Sequence, residues 1–282
     1  MPWSELVEPF AADATFARRL ATEAGARLLR ARDEFISADE QALRDAGDAA
    51  AQHFIAAELA AHRPDDAVLS EEAVDDIGRL AANRVWITDP LDGTREFAEG
   101  RDDWAVHVAL WADGDLVAGA VALPALGRTI ASNEPPTVPS PTSRRPRIAV
   151  SRSRAPQIAQ VAARDLDADL VPMGSAGFKA AAVLFGEVDA YVHAGGQYEW
   201  DSAAPVAVAQ AAGLHTSRLD GSALVYNRPD PYLPDLIVCR REIASELLSV
   251  CAPATRQDTH DDTRLPVDPA RRAGSRGDPH HP

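Results

Sequence analysis

Lysine is almost absent from this 282-residue chain: of 28 basic residues, Lys179 is the one that is not arginine. Cysteine is nearly as scarce. Cys239 and Cys251 lie in different segments without Cys-x-x-Cys spacing, and both read as buried or incidental thiols. There is no basic run: 43 acidic residues leave a formal charge of −15, so neither nucleic acid nor an anionic membrane surface is expected as a partner. Long apolar stretches are missing too, since a run such as Trp104 to Ala112 is short and is cut by Asp113 and Asp115. The first ten residues carry Glu5 and Glu8 and lack the basic patch and apolar core of a secretory signal, so a cytoplasmic location is expected.

What is present is enough apolar content, 46%, to bury a sizeable core, in a length that suits two lobes. The opening segment reads as two amphipathic helices. One runs from about Ala14 to Ile36 with Phe16, Leu20, Leu28 and Leu29 on a stripe, the other from about Asp39 to His62 with Ala51, Phe54, Ile55 and Leu59 at helical spacing. Strand-like runs follow at Ala67 to Leu69, Arg84 to Thr88, Asp103 to Ala112, Asp115 to Leu123 and Arg128 to Ala131. Ala112-Asp113-Gly114 is a hairpin signal, and an antiparallel sheet beneath the helices is expected over residues 1–134. The Pro-rich stretch 135–146 reads as an exposed connection. Strand and helix then alternate: Arg147 to Val150, a helix from about Pro156 to Asp167, Leu170 to Val171, a helix from Ser175 to Phe185, Val188 to His193, and a helix from Asp201 to Ala212. That alternation predicts an α/β lobe over 147–252. Residues 253–282 hold prolines and charges but no aromatic, so a disordered tail is expected, with His280 and His281 solvated.

The densest chemical cluster is Asp89-Pro90-Leu91-Asp92-Gly93-Thr94, where a strand gives way to a short helical segment. Two carboxylates and a turn carbonyl suit Mg²⁺, while Gly93 permits close backbone approach and amides at a helix start can cradle an anion. By itself such a string is also an ordinary capped turn. Ser70-Glu71-Glu72 follows a strand-like run and is otherwise a solvated helix start. Asp201, in Glu199-Trp200-Asp201-Ser202, has an alternative position as N-cap of a helix with Pro205 in its first turn. Asp48 sits among alanines on the second helix, where a close-packed face can turn one carboxylate into a cleft; alone it is surface charge.

Taken together, Asp48, Glu71-Glu72, the Asp89 to Thr94 string and Trp200-Asp201 have the order and company of one family. Over about residues 14 to 250 the chain resembles the Mg²⁺-dependent, lithium-sensitive phosphatases that include inositol monophosphatase, fructose bisphosphatase and the bisphosphate nucleotidases. Three continuations resemble the CysQ-type 3′(2′),5′-bisphosphate nucleotidases in particular: Arg95-Glu96-Phe97 after the Asp-Gly-Thr, Gly174-Ser175-Ala176-Gly177-Phe178-Lys179, and Trp200-Asp201-Ser202-Ala203-Ala204-Pro205. Ser151-Arg152-Ser153 is similar to their Ser-Arg-Ser-His, with Arg154 standing where the histidine would be. An Arg there suits a second phosphate, which it can bind bidentately.

The resemblance implies the α/β class, as an α+β layered sandwich of α-β-α-β-α order, the sugar-phosphatase or inositol monophosphatase-like fold. It also implies two or three Mg²⁺ ions, held by Glu71, Asp89, the Leu91 carbonyl, Asp92 and Asp201. Asp48 and Thr94 would activate the attacking water together with Glu71, and Glu72 would support the ligands. Gly93, Thr94, Arg95, Ser151, Arg152, Ser153, Arg154, Gly174, Ser175, Lys179 and Asp201 would contact substrate. Arg152, Arg154 and Lys179 would meet the non-reacting phosphate, although Lys179 can also be read as an exposed helix residue. The implied reaction removes the 3′-phosphate of adenosine 3′,5′-bisphosphate or of phosphoadenosine phosphosulfate, in the service of sulfur assimilation. An inositol or sugar phosphatase is the alternative within enzymes, and a non-catalytic nucleotide or sugar-phosphate sensor the alternative outside them. No activated Cys or Ser-His pair is required, and either a monomer or a homodimer is compatible.

Overall fold

Amphipathic spacing decides the outer layer. Helix α1 (Ala11–Glu34) turns Phe16, Leu20, Ala24 and Leu28 inward, and α2 (Glu40–His62) turns in Leu43, Ala51, Phe54, Ile55 and Leu59. The computed structural model describes residues 8–34, 39–140 and 145–258. Within them, α1 begins at Ala11 rather than Ala14, because Asp13 in its first turn pairs with Arg63 and Arg84. The expected end at Ile36 lies outside the described residues, as do 141–144 of the Pro-rich connection. Asp39 caps α2, its carboxylate accepting from the Ala42 amide at 2.9 Å.

The first sheet has the order β1-β2-β3-β4-β5, from β1 (Ala67–Ser70), β2 (Arg84–Asp92), β3 (Ala105–Ala112), β4 (Asp115–Leu123) and β5 (Arg128–Ala131). Strands β2 to β5 form the expected meander. β1, by contrast, runs parallel to β2, because the intervening segment with its 3₁₀ turn Ile77–Ala81 carries the chain back before β2 starts. Asp113 and Gly114, both at positive φ, make the tight β3–β4 hairpin. β2 also overruns its expected end at Thr88. Pro90 has no amide to donate, the pairing with β3 breaks between Asp89 and Asp92, and it resumes at Asp92 opposite Ala105. The two aspartates therefore sit on either side of a strand irregularity, not in a turn beyond the strand.

The second sheet has the order β7-β6-β8-β10-β9. β6 (Arg147–Ser151), β7 (Asp169–Met173) and β8 (Ala190–Tyr198) are parallel, with α4 (Gln157–Asp165), α5 (Ala176–Leu184) and α6 (Glu199–Ala211) in the alternation read from sequence. β9 (His215–Ser217), β10 (Tyr232–Cys239) and α7 (Arg241–Asp258) had no counterpart in that reading. β10 runs antiparallel to both neighbours, and Pro234 and Asp235 interrupt its apolar pattern. The expected tail is corrected at its start, since α7 continues through Pro253 to Asp258; residues 259–282, with His280 and His281, lie outside the described residues. Helix α6 begins at Glu199, two positions ahead of Asp201, so Asp201 is not its N-cap. Its carboxylate instead reaches back to the Tyr198 amide at 2.7 Å, and Pro205 falls inside the helix.

Burial orders these elements into five layers. Trp86, Val106, Val108 and Leu110 face α1 and α2. Val85, Ile87, Ala105 and Ala109 face the opposite way, against α5 and α6, and Tyr191 and Val238 cover those helices from the second sheet. Ile148, Val192, Ile237 and Cys239 then pack on α4 and α7. The order is α-β-α-β-α. Small residues let the middle layer approach closely: a Cβ on Gly119 of β4 would stand 2.6 Å from that of Ala207 on α6. Both cysteines are buried, and burial pushes the Cys239 thiol up to about 12 and that of Cys251 up to about 11.

Candidate functional site

The amino ends of α5 and α6 open toward the irregular end of β2, and three carboxylates meet there. Asp89 and Asp92 from β2 and Asp201 from α6 each place an oxygen within 4.8 Å of the others. Asp89 is 1% exposed. One of its oxygens accepts the Leu91 amide at 3.0 Å, and the other has no hydrogen-bond partner among the described residues. An ionised carboxylate is costly to bury unpaired, and Asp89 is accordingly held well above its ordinary pKa by desolvation and by Glu71, Asp92 and Asp201. Glu71, at the end of β1, is pushed up to about 7 by desolvation, Glu72 and Asp92, an effect that neighbouring Asp89 partly offsets. Asp201 also stands at about 7, through desolvation and the charge of Asp92. Such crowding of oxygen donors is what a hard divalent cation relieves, and the orphaned Asp89 oxygen fits a ligand position.

Asp92 is the exception. Burial alone would raise its pKa, yet His107, Lys179 and Ser175 hold it at about 2. Its Oδ2 accepts from the Ser175 hydroxyl and from the Gly177 amide at 2.7 Å, and His107 Nε2 stands 3.1 Å away, close enough for an ion pair but without hydrogen-bond alignment. Ser175 is the N-cap of α5 at φ 45°, an uncommon conformation for a non-glycine residue, and its Oγ also accepts from the Phe178 amide. The sequence reading did not single out His107. It lies on the face of β3 shared with Ala105 and Ala109, and a lone imidazole among apolar strand residues is the one signal that marked it.

Helix α3 (Thr94–Ala98) starts directly after Gly93, which adopts φ 92° with no room for a larger residue against Trp104 and Ser175. The Thr94 hydroxyl donates to the Leu91 carbonyl at 3.1 Å and lies beside the Asp48 carboxyl on α2, whose pKa it lowers. Desolvation and the charges of Glu72 and Asp45 push Asp48 up to about 7.

Beside the carboxylates is a cleft of about 280 Å³. Of the sequence candidates, Asp92, Gly93, Arg95, Ser151, Ser153, Gly174, Ser175, Lys179 and Asp201 line it, and they are joined by Glu96, quoted from sequence only within Arg95-Glu96-Phe97, and by Tyr191, His193 and Gln197, which had not been singled out. Two expectations about cations change. Arg152 is already paired with Glu96 at 2.9 Å and Glu99 at 2.7 Å, so it is not held out for a phosphate. Lys179 is not an exposed helix residue: it is buried and donates to the carbonyls of Gly174 and Ser175, which lets its charge act on the site without reaching into solvent. Arg154 is exposed at the rim near Gly195.

Comparison with known proteins agrees with this arrangement. A 3′-phosphoadenosine 5′-phosphate phosphatase of Mycobacterium leprae (strain TN) is 53% identical over 251 residues, which cover 84% of this chain and 93% of that protein. The 3′(2′),5′-bisphosphate nucleotidase CysQ of Escherichia coli (strain K12) is 30% identical over 235 residues, covering 76% and 94%. Among solved structures, CysQ from Bacteroides thetaiotaomicron, a bacterial member of the inositol monophosphatase family, superposes with a TM-score of 0.71 at 25% identity, covering 82% of this chain and 98% of that one. The sequence profile of the inositol monophosphatase family matches residues 11–257, nearly all of the described fold and every carboxylate of the cluster, and the chain belongs to that family.

Proposed function

We propose that this protein is a Mg²⁺-dependent phosphatase that removes the 3′-phosphate of adenosine 3′,5′-bisphosphate, leaving AMP, and acts in the same way on 3′-phosphoadenosine 5′-phosphosulfate. The observation that carries the reading is the convergence of Asp89, Asp92 and Asp201 beneath the Gly93 turn, with one Asp89 oxygen unpartnered. The nucleotide is favoured over other phosphate esters by the likeness to the M. leprae and E. coli enzymes. Glu71, Asp89, the Leu91 carbonyl, Asp92 and Asp201 would hold two or three Mg²⁺ ions. Bound there, the ions would supply positive charge against the phosphoryl oxygens and the departing ribose oxygen.

The chain's own residues account for the rest of the chemistry. Asp48, with a pKa near the working pH and the Thr94 hydroxyl beside it, is placed to orient a water and take its proton. The Gly93 and Thr94 amides face charge that grows on the transferring group. Arg95, Ser151, Ser153 and Arg154 stand at the cleft or its rim, where the rest of the nucleotide would lie, and Lys179 adds buried positive charge behind it.

The experiment is phosphate release, with and without Mg²⁺, from adenosine 3′,5′-bisphosphate, inositol 1-phosphate and fructose 1,6-bisphosphate side by side. The expected result is Mg²⁺-dependent release with a large preference for the first. A large preference for inositol 1-phosphate would replace this reading with that of an inositol phosphatase. Asp92→Asn separates a catalyst from a sensor, since a catalyst loses turnover by roughly 10²–10³-fold or more while a sensor retains its ligand response.

A further inference from the structure

We propose that His107 is a positioning residue for the divalent cation: a strut that fixes Asp92 and Asp201 relative to one another across the layers that carry them. The proposal rests on the cation-site reading and adds a residue to it. His107 is fully buried on β3, in the middle of the first sheet, and faces α5 and α6. Its Nε2 lies 3.1 Å from Asp92 Oδ2, and its Nδ1 lies 3.0 Å from the backbone carbonyl of Trp200, the residue before Asp201. One imidazole thus bridges the side chain of one candidate ligand and the backbone next to another.

The fit is specific on every side. A Cβ at position 177 would stand 2.0 Å from His107 Nε2, so the ring has room only because α5 carries Gly177 there. The Gly177 amide and the Ser175 hydroxyl converge on the same Asp92 oxygen as the ring. With Oδ2 held by two donors and the imidazole Nε2 3.1 Å away, the carboxylate is flanked from three sides, and Asp92 serves a cation through its other oxygen. Nδ1 at the same time ties the first turn of α6 to β3, so Asp201 cannot drift from Asp92 without stretching this link. A histidine that merely filled space would not need Nδ1 on the carbonyl next to Asp201 and Nε2 within ion-pair range of Asp92. Partners that orient a metal's ligands typically set affinity by about 10–100-fold.

The test measures Mn²⁺ binding by calorimetry in the absence of substrate, together with the metal-free melting temperature, for the full chain and for His107→Leu and His107→Asn. The expected result is a loss of Mn²⁺ affinity of about 10-fold or more in His107→Leu. His107→Asn, too short to bridge both acceptors, is expected to lose a comparable amount, while KM at saturating Mn²⁺ stays close to that of the parent chain. Folded variants that bind Mn²⁺ as the parent does and differ only in melting temperature would overturn the proposal, and His107→Asn decides the matter should His107→Leu not fold. Absence of Mn²⁺ binding by the parent chain would remove the cation reading itself and the strut with it. Failure of the nucleotide assignment alone would leave the calorimetry untouched.

Discussion

Asp89 and Asp92 are neighbours on one strand, both nearly sealed from solvent, and the protein treats them in opposite ways. Around Asp92 it builds a complete set of partners: the Ser175 hydroxyl, the Gly177 amide, His107, and Lys179 close behind. Around Asp89 it supplies one backbone amide, leaves an oxygen orphaned, and brings up two further acids, Glu71 and Asp201. Burial acts on both in the same direction, so the difference lies in the neighbours. The fold compensates the charge of one carboxylate internally and leaves the other uncompensated, which is the position the proposed cation would relieve. On the proposed function, a cation would lie toward the Asp89, Asp201 and Glu71 side of the cluster, with Asp92 as the rigid post against which it would be located.

The largest expected effect tests this division with one substitution on each side. Asp89→Asn removes a ligand and is expected to lower turnover by roughly 10³-fold or more. In the metal-free protein it also removes charge from a repelling group, so the melting temperature should rise. Asp92→Asn breaks a buried, hydrogen-bonded pair and strands His107, a change of the kind that costs about 3–5 kcal/mol. Its metal-free melting temperature should therefore fall. Turnover in both variants and metal-free thermal denaturation check the contrast, and two shifts of the same sign would erase the distinction between the carboxylates.

A smaller effect follows from pH. Asp48, Glu71 and Asp201 stand near 7 in the folded chain, and Asp89 is raised as well, against unfolded values of about 4. Between those values the folded form binds more protons than the unfolded form, so these groups erode metal-free stability as pH climbs from about 4 to about 7. Asp92 has the opposite sign: its depressed value stabilises the fold above about 4, and this contribution is lost as pH falls toward about 2. A cation favours the ionised forms on the Asp89 side. The rise in melting temperature on adding Mg²⁺ should consequently grow from about pH 5.5 to about pH 8, and a rise independent of pH would show that these carboxyls are ionised throughout.

Much of this was legible before the fold was seen, because short motifs encode local geometry. Asp89 to Thr94 named a cluster of oxygen donors, though it lies on an irregular strand end and not in a turn beyond it, and the period of α1, α2 and the β2 to β5 meander followed from side-chain alternation. The failures have physical causes. The direction of β1 depends on the path of the segment after it, which has no sequence period, and β10 is masked by Pro234 and Asp235 within its apolar run. His107 was invisible for another reason: its importance lies in Asp92, Gly177 and Trp200, all distant along the chain, and a single strand histidine carries no pattern of its own. Its neighbours Gly177 and Trp200 fall within strings that resemble the nucleotidases, so the sequence held the two ends of the bridge without its middle.

The smallest expected effect concerns Arg152, where the motif and the geometry diverge. Ser151-Arg152-Ser153 reads as a phosphate-binding string, yet the guanidinium is spent on Glu96 and Glu99, and only Ser151 and Ser153 line the cleft. For Arg152 to reach a phosphate it must give up two carboxylates, and the net gain is small because one charge-assisted contact replaces another. On the proposed function Arg152 would instead screen Glu96, which lines the cleft and would otherwise repel an anionic substrate. Arg152→Ala should raise KM for adenosine 3′,5′-bisphosphate by only about threefold to tenfold, with turnover nearly unchanged. Glu96→Gln in the same background should recover most of that loss, because it removes the charge that Arg152 screens. If the double variant binds no better than Arg152→Ala, or the single variant loses 100-fold or more, Arg152 contacts the phosphate directly and the ion pairs seen here open when substrate arrives.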